Sequence, residues 1–222
     1  MIRFAVLVFP GSNCDHDAYI VLKNLPHSTV DFVWHKERDL SRYDAIVIPG
    51  GFSYGDYLRA GAIARFSPIM EAVVVAANRG KPIIGICNGF QILVEADLLP
   101  GALIANKDLK FLSQSVTLKT GTVNSVFTRK LTPGQQLTMP IAHKQGNYSA
   151  HPDTLKQLQD DDRIAFTYAP VNGGNPNGSA MDIAGIISEK RNVLGMMPHP
   201  ERASDPLLGS VDGRSIFESI IG

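Results

Sequence analysis

Two short segments carry residue types that could do covalent chemistry. Residues 85–89 read Gly-Ile-Cys-Asn-Gly, which places a cysteine between glycines after an apolar run. Residues 198–201 read Pro-His-Pro-Glu, which places a carboxylate two residues after a histidine held between prolines. A thiol activated by an imidazole, with a carboxylate that orients the imidazole, is suited to attack acyl compounds such as amides. Cys87, His199 and Glu201 are therefore the candidate catalytic residues.

Cys87 lies in the setting of a nucleophile elbow. The apolar run predicts a buried strand over residues 83–86, and the residues after the cysteine predict a helix over 89–96. Such a turn is tight, and it presents its nucleophile at the carboxyl end of the strands, where open α/β sheets bind ligands. A helix N-terminus there stabilises negative charge on sulfur. A buried structural cysteine also fits the Gly-x-Cys-x-Gly pattern taken alone, so the neighbouring elements favour the nucleophile.

His199 differs from the other histidines in how its backbone is held. The two flanking prolines fix φ on either side of it, and residues two apart in an extended chain share a face. Glu201 can therefore bond one ring nitrogen and leave the other for the thiol proton. The alternative is a surface histidine at a strand end, and that interpretation suits the remaining five: His16, His27, His35, His143 and His151.

Attack on an amide also needs donors for the negative oxygen and contacts for the rest of the substrate. In elbow enzymes one donor is the N–H after the nucleophile, here Asn88, and the other comes from a loop after a neighbouring strand. Gly50 and Gly51 follow a predicted strand at 45–48, and glycine lets backbone N–H groups approach a ligand; an ordinary turn is the alternative. Gln91 lies one helical turn beyond Cys87, so we expect its amide to hold the substrate's α-carboxylate or amine.

The element pattern predicts one α/β domain over residues 1–222, with an open, mostly parallel sheet flanked by helices. In the first half it predicts strands at 4–8, 30–34, 45–48 and 83–86 and helices at 15–25, 68–79 and 89–96, with Ser67 as an N-terminal cap and Gly80 as a C-terminal stop. In the second half it predicts additional strands at 115–118, 137–141, 164–168, 183–187 and 193–196, a loop at 172–178 and a helix at 215–221.

Composition narrows the class of protein. Lys+Arg and Asp+Glu both number 21 in 222 residues, so we expect no binding to nucleic acid or to a membrane surface. The start of the chain lacks the features of a signal peptide, and we expect a cytoplasmic protein. Cys14 and Cys87 form no Cys-x-x-Cys or Cys/His pattern, so neither a disulfide nor a metal site is expected. Cys14 lacks a flanking glycine on its far side and is expected to shape a loop near the site.

The motifs together resemble one enzyme family, the class I (triad) glutamine amidotransferases. Within that family they are most similar to glutaminase subunits that serve a ligase of purine biosynthesis. The segments that carry the resemblance are Gly-Ile-Cys-Asn-Gly-Phe-Gln at 85–91, Phe-Pro-Gly-Ser-Asn-Cys-Asp at 9–15, Pro-Gly-Gly-Phe-Ser-Tyr-Gly-Asp-Tyr-Leu-Arg at 49–59 and Met-Met-Pro-His-Pro-Glu-Arg at 196–202. The chain departs from the family pattern at 142–146, where Ala-His-Lys-Gln-Gly replaces Ala-His-Gly-Glu-Gly and removes a carboxylate at position 145.

The resemblance implies a flavodoxin-like fold and a triad of Cys87, His199 and Glu201 that hydrolyses glutamine. It also implies partners: a synthetase (ligase) subunit that binds ATP and magnesium, and a small accessory subunit. No cofactor is expected on this chain, which contains no Gly-x-x-x-x-Gly-Lys-Ser/Thr phosphate loop. Two alternatives stay open, a stand-alone cysteine hydrolase of related fold and a non-catalytic subunit that only binds its partner.

Overall fold

A computed structural model describes residues 1–171 and 174–222. Most of its strands form one large sheet, in the order β2-β1-β3-β4-β11-β10-β9-β6-β7, while β5 and β8 pair separately. The strands are β1 (Ile2–Val8), β2 (Ser28–Trp34), β3 (Ala45–Ile48), β4 (Ile83–Ile86), β5 (Ala102–Ile104), β6 (Leu112–Thr120), β7 (Gln136–His143), β8 (Asn147–Ser149), β9 (Ile164–Tyr168), β10 (Ile183–Ile187) and β11 (Val193–Met196). The helices are α1 (Asp15–Lys23), α2 (Pro68–Asn78), α3 (Asn88–Glu95), α4 (Pro152–Asp160) and α5 (Arg214–Ile221).

The first half of the sheet is parallel and confirms the predicted α/β architecture. Strands β2, β1, β3, β4 and β11 run in the same direction, in the flavodoxin-like order. Every residue of β3, β4 and β11 is buried, as expected for strands in the middle of a sheet that has helices on both faces. The carboxyl ends of β3, β4 and β11 therefore lie side by side, which brings the loops after them together.

The additional strands extend the same sheet in antiparallel fashion. β11 pairs with β10, and β9, β6 and β7 follow, each antiparallel to its neighbour. Although β7 is last in the order, its free edge is covered: the Pro140 carbonyl accepts a hydrogen bond of 2.9 Å from the His199 N–H. The second half of the chain thus curls back over the ends of the parallel strands and forms a wall there.

The start of α2 differs from the prediction. Ser67 precedes the helix, but its side chain makes no capping bond. Its hydroxyl lies 2.9 Å from the Tyr54 hydroxyl, which in turn lies 2.9 Å from Nδ1 of His35. The hydroxyl is thus used to anchor the loop after β3 instead of the helix. Gly80 has φ +81°, the left-handed conformation predicted at the end of α2.

Three elements were missed because they are very short or contain few apolar residues. α4 is polar and buries only Leu158, while β5 and β8 are three residues each. The predicted loop at 172–178 begins outside the described residues, and 174–178 is irregular as predicted. Among the described residues, no helix has both the length and the apolar character to cross a membrane.

Candidate active site

The structure places Cys87 in a strained turn between β4 and α3. Its backbone has φ +50° and ψ −104°, a combination that L-residues rarely adopt, and its side chain is 5% exposed. α3 begins at the next residue, so the sulfur lies at the helix N-terminus. The helix also packs very closely against the strands: a Cβ at Gly85 would lie 2.6 Å from the Gly89 carbonyl oxygen, and one at Gly89 would overlap the carbonyl of Ile48. The elbow therefore requires glycine at both positions.

His199 and Glu201 form a buried ion pair on the short helical turn Pro200–Ala203 that follows β11. Nδ1 of His199 lies 2.6 Å from Oε1 of Glu201, and both residues are 1% exposed. Because a carboxylate only accepts, Nδ1 donates and Nε2 is the ring position left for proton exchange. Within the described part of the chain, Nε2 has no hydrogen-bond partner.

The thiol and the imidazole meet at Gly50. A Cβ placed on this glycine would lie 2.8 Å from Cε1 of His199 and 3.4 Å from Cβ of Cys87. Sγ of Cys87 donates to the Ala142 carbonyl at 3.6 Å. The Ala142 oxygen therefore accepts the thiol hydrogen, and Nε2 of His199 is the ring position left to exchange a proton with the sulfur.

The two histidines at the site are held in opposite charge states. Burial lowers the pKa of His199, but the Glu201 carboxylate and the Cys87 sulfur more than offset it and hold that pKa well above its usual value. Burial, with the charge of His199, lowers the pKa of His143 to about 4. The surroundings therefore favour the charged form of His199 and the neutral form of His143.

A cavity of about 220 Å³ opens onto Cys87 from the loop side of the sheet. Burial raises the pKa of Asp56, in its wall, to about 6. The cavity is lined by Gly51, Phe52, Asp56, Cys87, Gln91, Phe111, Ala142, His143, Lys144 and Gln145. Larger cavities elsewhere in the described residues do not include Cys87, so this one is the candidate substrate pocket.

The predicted oxyanion donors lie on both sides of the thiol. Gly51 has φ +132° and forms an antiparallel β-bridge with Ser12. The N–H of Phe52 donates to the carbonyl of Gly11 in this bridge. None of the hydrogen bonds among the described residues uses the N–H of Gly51 or of Asn88. Gly50 contributes by its lack of a side chain, since a Cβ there would fill the space between thiol and imidazole. The oxyanion role of these groups stays a prediction.

Gln91 lines the pocket, but its amide is already bonded within the protein. Nε2 donates to the Gln145 carbonyl at 2.6 Å, and Oε1 accepts from Asn88 Nδ2 at 2.9 Å. The side chain of Gln145 accepts from the N–H of Ala60 at 3.3 Å. Gln145 thus bonds to both Gln91 and Ala60 at the pocket wall. It occupies the position where the family pattern has a carboxylate. A contact between Gln91 and glutamine stays a prediction and would require these bonds to exchange.

Sequence reasoning placed Cys14 in a loop near the site but missed its contact with Arg202. Cys14 is 3% exposed, and its Sγ accepts from Nη2 of Arg202 at 3.1 Å. In the described residues, Cys14, His199 and Glu201 are the one group whose donor atoms, all within 4.8 Å of one another, could share a metal ion. The guanidinium beside the sulfur disfavours a cation at that place. The elbow motif around Cys87 gives no indication of this contact. The sign that the sequence offers is the position of Arg202 directly after Glu201.

The arrangement has the parts needed to cleave an amide, and comparison with known proteins identifies the family. The model of a family described as the CobB/CobQ-like glutamine amidotransferase domain matches residues 1–215. The chain belongs to this family. It is therefore a glutamine amidotransferase, an enzyme that uses the side-chain amide of glutamine.

Individual relatives are similar to this glutamine amidotransferase over nearly its full length. The phosphoribosylformylglycinamidine synthase subunit PurQ of Koribacter versatilis is 55% identical over 225 residues, covering 99% of this chain and 97% of the relative. A structure of PurLQS from Thermotoga maritima contains a chain that is 42% identical with a TM-score of 0.90, covering 100% and 98%. The glutaminase domain of Trypanosoma brucei CTPS, at 13% identity, a TM-score of 0.60 and coverage of 100% and 94%, is similar in fold alone.

Proposed function

We propose that this chain is the glutaminase subunit of a phosphoribosylformylglycinamidine synthase. It hydrolyses glutamine to glutamate and ammonia, and a partner ligase uses the ammonia to convert formylglycinamide ribonucleotide to formylglycinamidine ribonucleotide. The observation that carries the proposal is the 55% identity to such a subunit over nearly the whole of both chains. The pairing of a strand-end thiol with a buried His–Glu pair supports the glutaminase step.

The first half of the reaction forms a thioester. The Cys87 sulfur, having given its proton to Nε2 of His199, attacks the carbon of the glutamine carboxamide, and the carbonyl oxygen becomes negative. The N–H groups of Gly51 and Asn88 stabilise that oxygen; the loss of one such donor costs about 2.7–4 kcal/mol in the barrier. The imidazolium then protonates the amide nitrogen, the C–N bond breaks and ammonia leaves a γ-glutamyl thioester on Cys87.

The second half returns the enzyme to its starting state. His199, now neutral, takes a proton from water while the oxygen of that water attacks the thioester carbon. The C–S bond breaks, glutamate is released, and sulfur and imidazolium are restored. Glu201 holds Nδ1 throughout, so Nε2 faces the reacting atoms in both steps.

The ammonia needs a partner that receives it directly, because free ammonia is mostly protonated at neutral pH and then cannot attack. Apolar side chains around the pocket mouth support a docked protein there. Phe52 and Phe111 line the pocket yet are about half exposed. Tyr57 and Leu58 are exposed in the segment between Asp56, which lines the pocket, and Ala60, whose N–H bonds to Gln145 of the pocket wall. We assign the partner as a synthetase subunit that carries the ATP and magnesium, accompanied by a small accessory subunit.

Replacement of the nucleophile tests the proposal. In the complex with the synthetase and accessory subunits, Cys87→Ala is expected to abolish glutamine-dependent synthesis and to leave ammonium-dependent synthesis within about 2-fold of wild type, because only the thioester step is lost. Synthesis is measured with each nitrogen source. Loss of both activities would contradict the assignment.

Two further results would favour the alternatives. Vigorous glutamine hydrolysis by the isolated chain, unchanged by the partner, would indicate a stand-alone hydrolase. Failure of a glutamine-like affinity label to modify Cys87 in the complex, with no glutamine-dependent synthesis, would indicate a non-catalytic subunit.

A further inference from the structure

A second sulfur lies against the His–Glu pair. Sγ of Cys14 is within 4.8 Å of a ring nitrogen of His199 and of a carboxylate oxygen of Glu201. The point occupied by a Cβ on Gly50 would be 3.2 Å from this sulfur and 2.8 Å from Cε1 of His199. The Cys14 sulfur therefore packs at the edge of the imidazole, next to the place where Cys87 reaches it.

Arg202 holds this sulfur in place. Nη2 of Arg202 donates to Sγ of Cys14 at 3.1 Å, and Nε donates to Oδ2 of Asp17 at 3.0 Å. Asp17 lies in the first turn of α1 and Cys14 immediately precedes that helix. The planar guanidinium thus ties the turn that carries His199 and Glu201 to α1, and two donors in fixed geometry make the tie directional.

Arg202 adds a second positive charge beside Glu201, in addition to that of His199. Glu201 is 1% exposed and its Oε2 has no partner among the described residues. A buried carboxylate with an unbonded oxygen is costly unless a positive charge lies nearby. Burial lowers the pKa of Arg202, but the Cys14 sulfur, the hydrogen bond to Asp17 and the Glu201 carboxylate outweigh it and raise that pKa above its ordinary value.

We propose that the Arg202–Cys14 pair is a positioning element of the triad, which holds the imidazole of His199 toward Cys87 and places a guanidinium beside the His199–Glu201 pair. The proposal rests on the proposed glutaminase function. Its action is indirect, because neither residue lines the pocket that opens onto Cys87.

The groups that face the imidazole come from four parts of the chain. Cys87 faces it from the start of α3, Cys14 from the start of α1, and His143 from the end of β7. Glu201 and Arg202 belong to its own turn. Replacing Arg202 removes one positive charge near the imidazole and leaves Cys87, Glu201 and the neutral His143 in place.

The test follows the reactivity of Cys87 itself. Wild type, Arg202→Gln and Arg202→Lys, each as the full chain, are alkylated with iodoacetamide across a range of pH, and the Cys87 adduct is quantified by peptide mass spectrometry. Loss of the cation in Arg202→Gln is expected to move the rise in alkylation rate upward by about one pH unit, because the His199–Glu201 pair that activates the thiol is less well held. Arg202→Lys, which keeps the charge, is expected to restore most of the shift.

A matched control separates this effect from a general loss of an arginine. Arg38 forms an exposed ion pair with Glu71 at 3.1 Å, away from the pocket, and Arg38→Gln is expected to leave the alkylation profile unchanged. If the Arg202→Gln profile superimposes on wild type, or loses amplitude without a shift, the proposal is overturned and Arg202 is only structural.

Substitution of the sulfur tests the other half of the pair. Cys14→Ala is expected to lower kcat for glutamine about 10-fold and to change KM less than about 3-fold, because the imidazole loses its packing while the pocket is untouched. Cys14→Ser retains an acceptor for Arg202 and is expected to recover most of kcat. Equal kcat in wild type and Cys14→Ala would contradict the proposal, whereas absence of glutamine hydrolysis in the wild-type complex would contradict the proposed function instead.

Discussion

At the scale of single residues, the environment decides the charge of each histidine. His143 interacts with the charge of His199 but makes no hydrogen bond with it among the described residues; its Nδ1 lies 3.1 Å from Oδ1 of Asn106. The amide nitrogen of Asn106 donates to the carbonyls of Lys110 and His143, so its oxygen must accept from Nδ1. His143 is thereby held as a neutral ring with a buried Nε2 that has no partner in the described residues.

This neutral histidine predicts a dependence of stability on acid. The pKa of His143 is lowered to about 4 in the folded chain, against an ordinary value of 6.5. Above pH 6.5 neither state binds the proton; below it the unfolded chain does, so stability falls as the pH drops toward 4. Between pH 7 and pH 5 the loss from this group is about 2 kcal/mol.

His143→Asn removes the titrating group and keeps a donor for Asn106. Its free energy of unfolding, measured with denaturant at pH 7 and pH 5, is expected to fall by about 2 kcal/mol less than that of wild type. The exposed His151 provides the control, since His151→Asn is expected to keep the wild-type difference. Parallel losses in His143→Asn and wild type would contradict a neutral His143.

At the scale of elements, the elbow depends on how closely α3 approaches the sheet. The helix contacts β3, β4 and β11, the three strands whose ends form the site. Gly89 faces the last residue of β3 with no space for a side chain, since a Cβ would overlap the Ile48 carbonyl. A backbone carbonyl inside a sheet cannot move aside without shifting its strand.

Gly89→Ala is therefore expected to lower the free energy of unfolding by about 2–3 kcal/mol and to reduce glutaminase activity, because α3 must move away and carry Cys87 with it. Denaturant unfolding and activity of the complex measure the two effects. Gly80→Ala is the control: that glycine has open space around it and a positive φ, so we expect a cost of about 1 kcal/mol and unchanged activity. If both variants lowered the free energy of unfolding equally, the close approach of α3 to β3 would be wrong.

At the scale of the whole molecule, the surface indicates how a partner is recognised. The formal net charge is +0, so long-range electrostatic steering contributes little to the encounter. Apolar side chains exposed around the pocket mouth offer an alternative basis for binding. Leu58 is 85% exposed and has φ +68°, an unusual conformation for leucine that aspartate adopts more readily.

Leu58→Asp is expected to weaken association with the synthetase subunit at least 10-fold, because an interface that buries this leucine would have to desolvate a charge. The fold is expected to be unaffected, since aspartate suits the backbone. Affinity measured by titration and the dependence of glutamine hydrolysis on the partner check this.

Leu207 is a matched control, because it is 93% exposed and lines a different cavity from Cys87. Leu207→Asp is expected to leave the affinity within about 2-fold of wild type. Equal weakening by both variants would indicate a nonspecific effect of added charge, and no weakening by Leu58→Asp would place the interface elsewhere.

Local patterns were sufficient for the parallel half of the fold. Strands β3 and β4 were predicted with their observed bounds because each is a short apolar run next to proline, too short for a helix. The same reasoning found β11 and the turn after it. It failed for β5 and β8, which are three residues each, and for α4, which has two leucines among polar residues and buries Leu158 alone.

By itself the sequence determined which residues could act, because the elbow at Cys87 and the clamped His199–Glu201 segment depend on neighbours in the chain. Only the tertiary structure decided what surrounds them. The carbonyls of Pro140 and Ala142 at the edge of β7, and the Cys14 sulfur, reach the site through strand order and sheet curvature. Contacts between distant segments leave no local periodicity in a single sequence, since they depend on how whole elements pack.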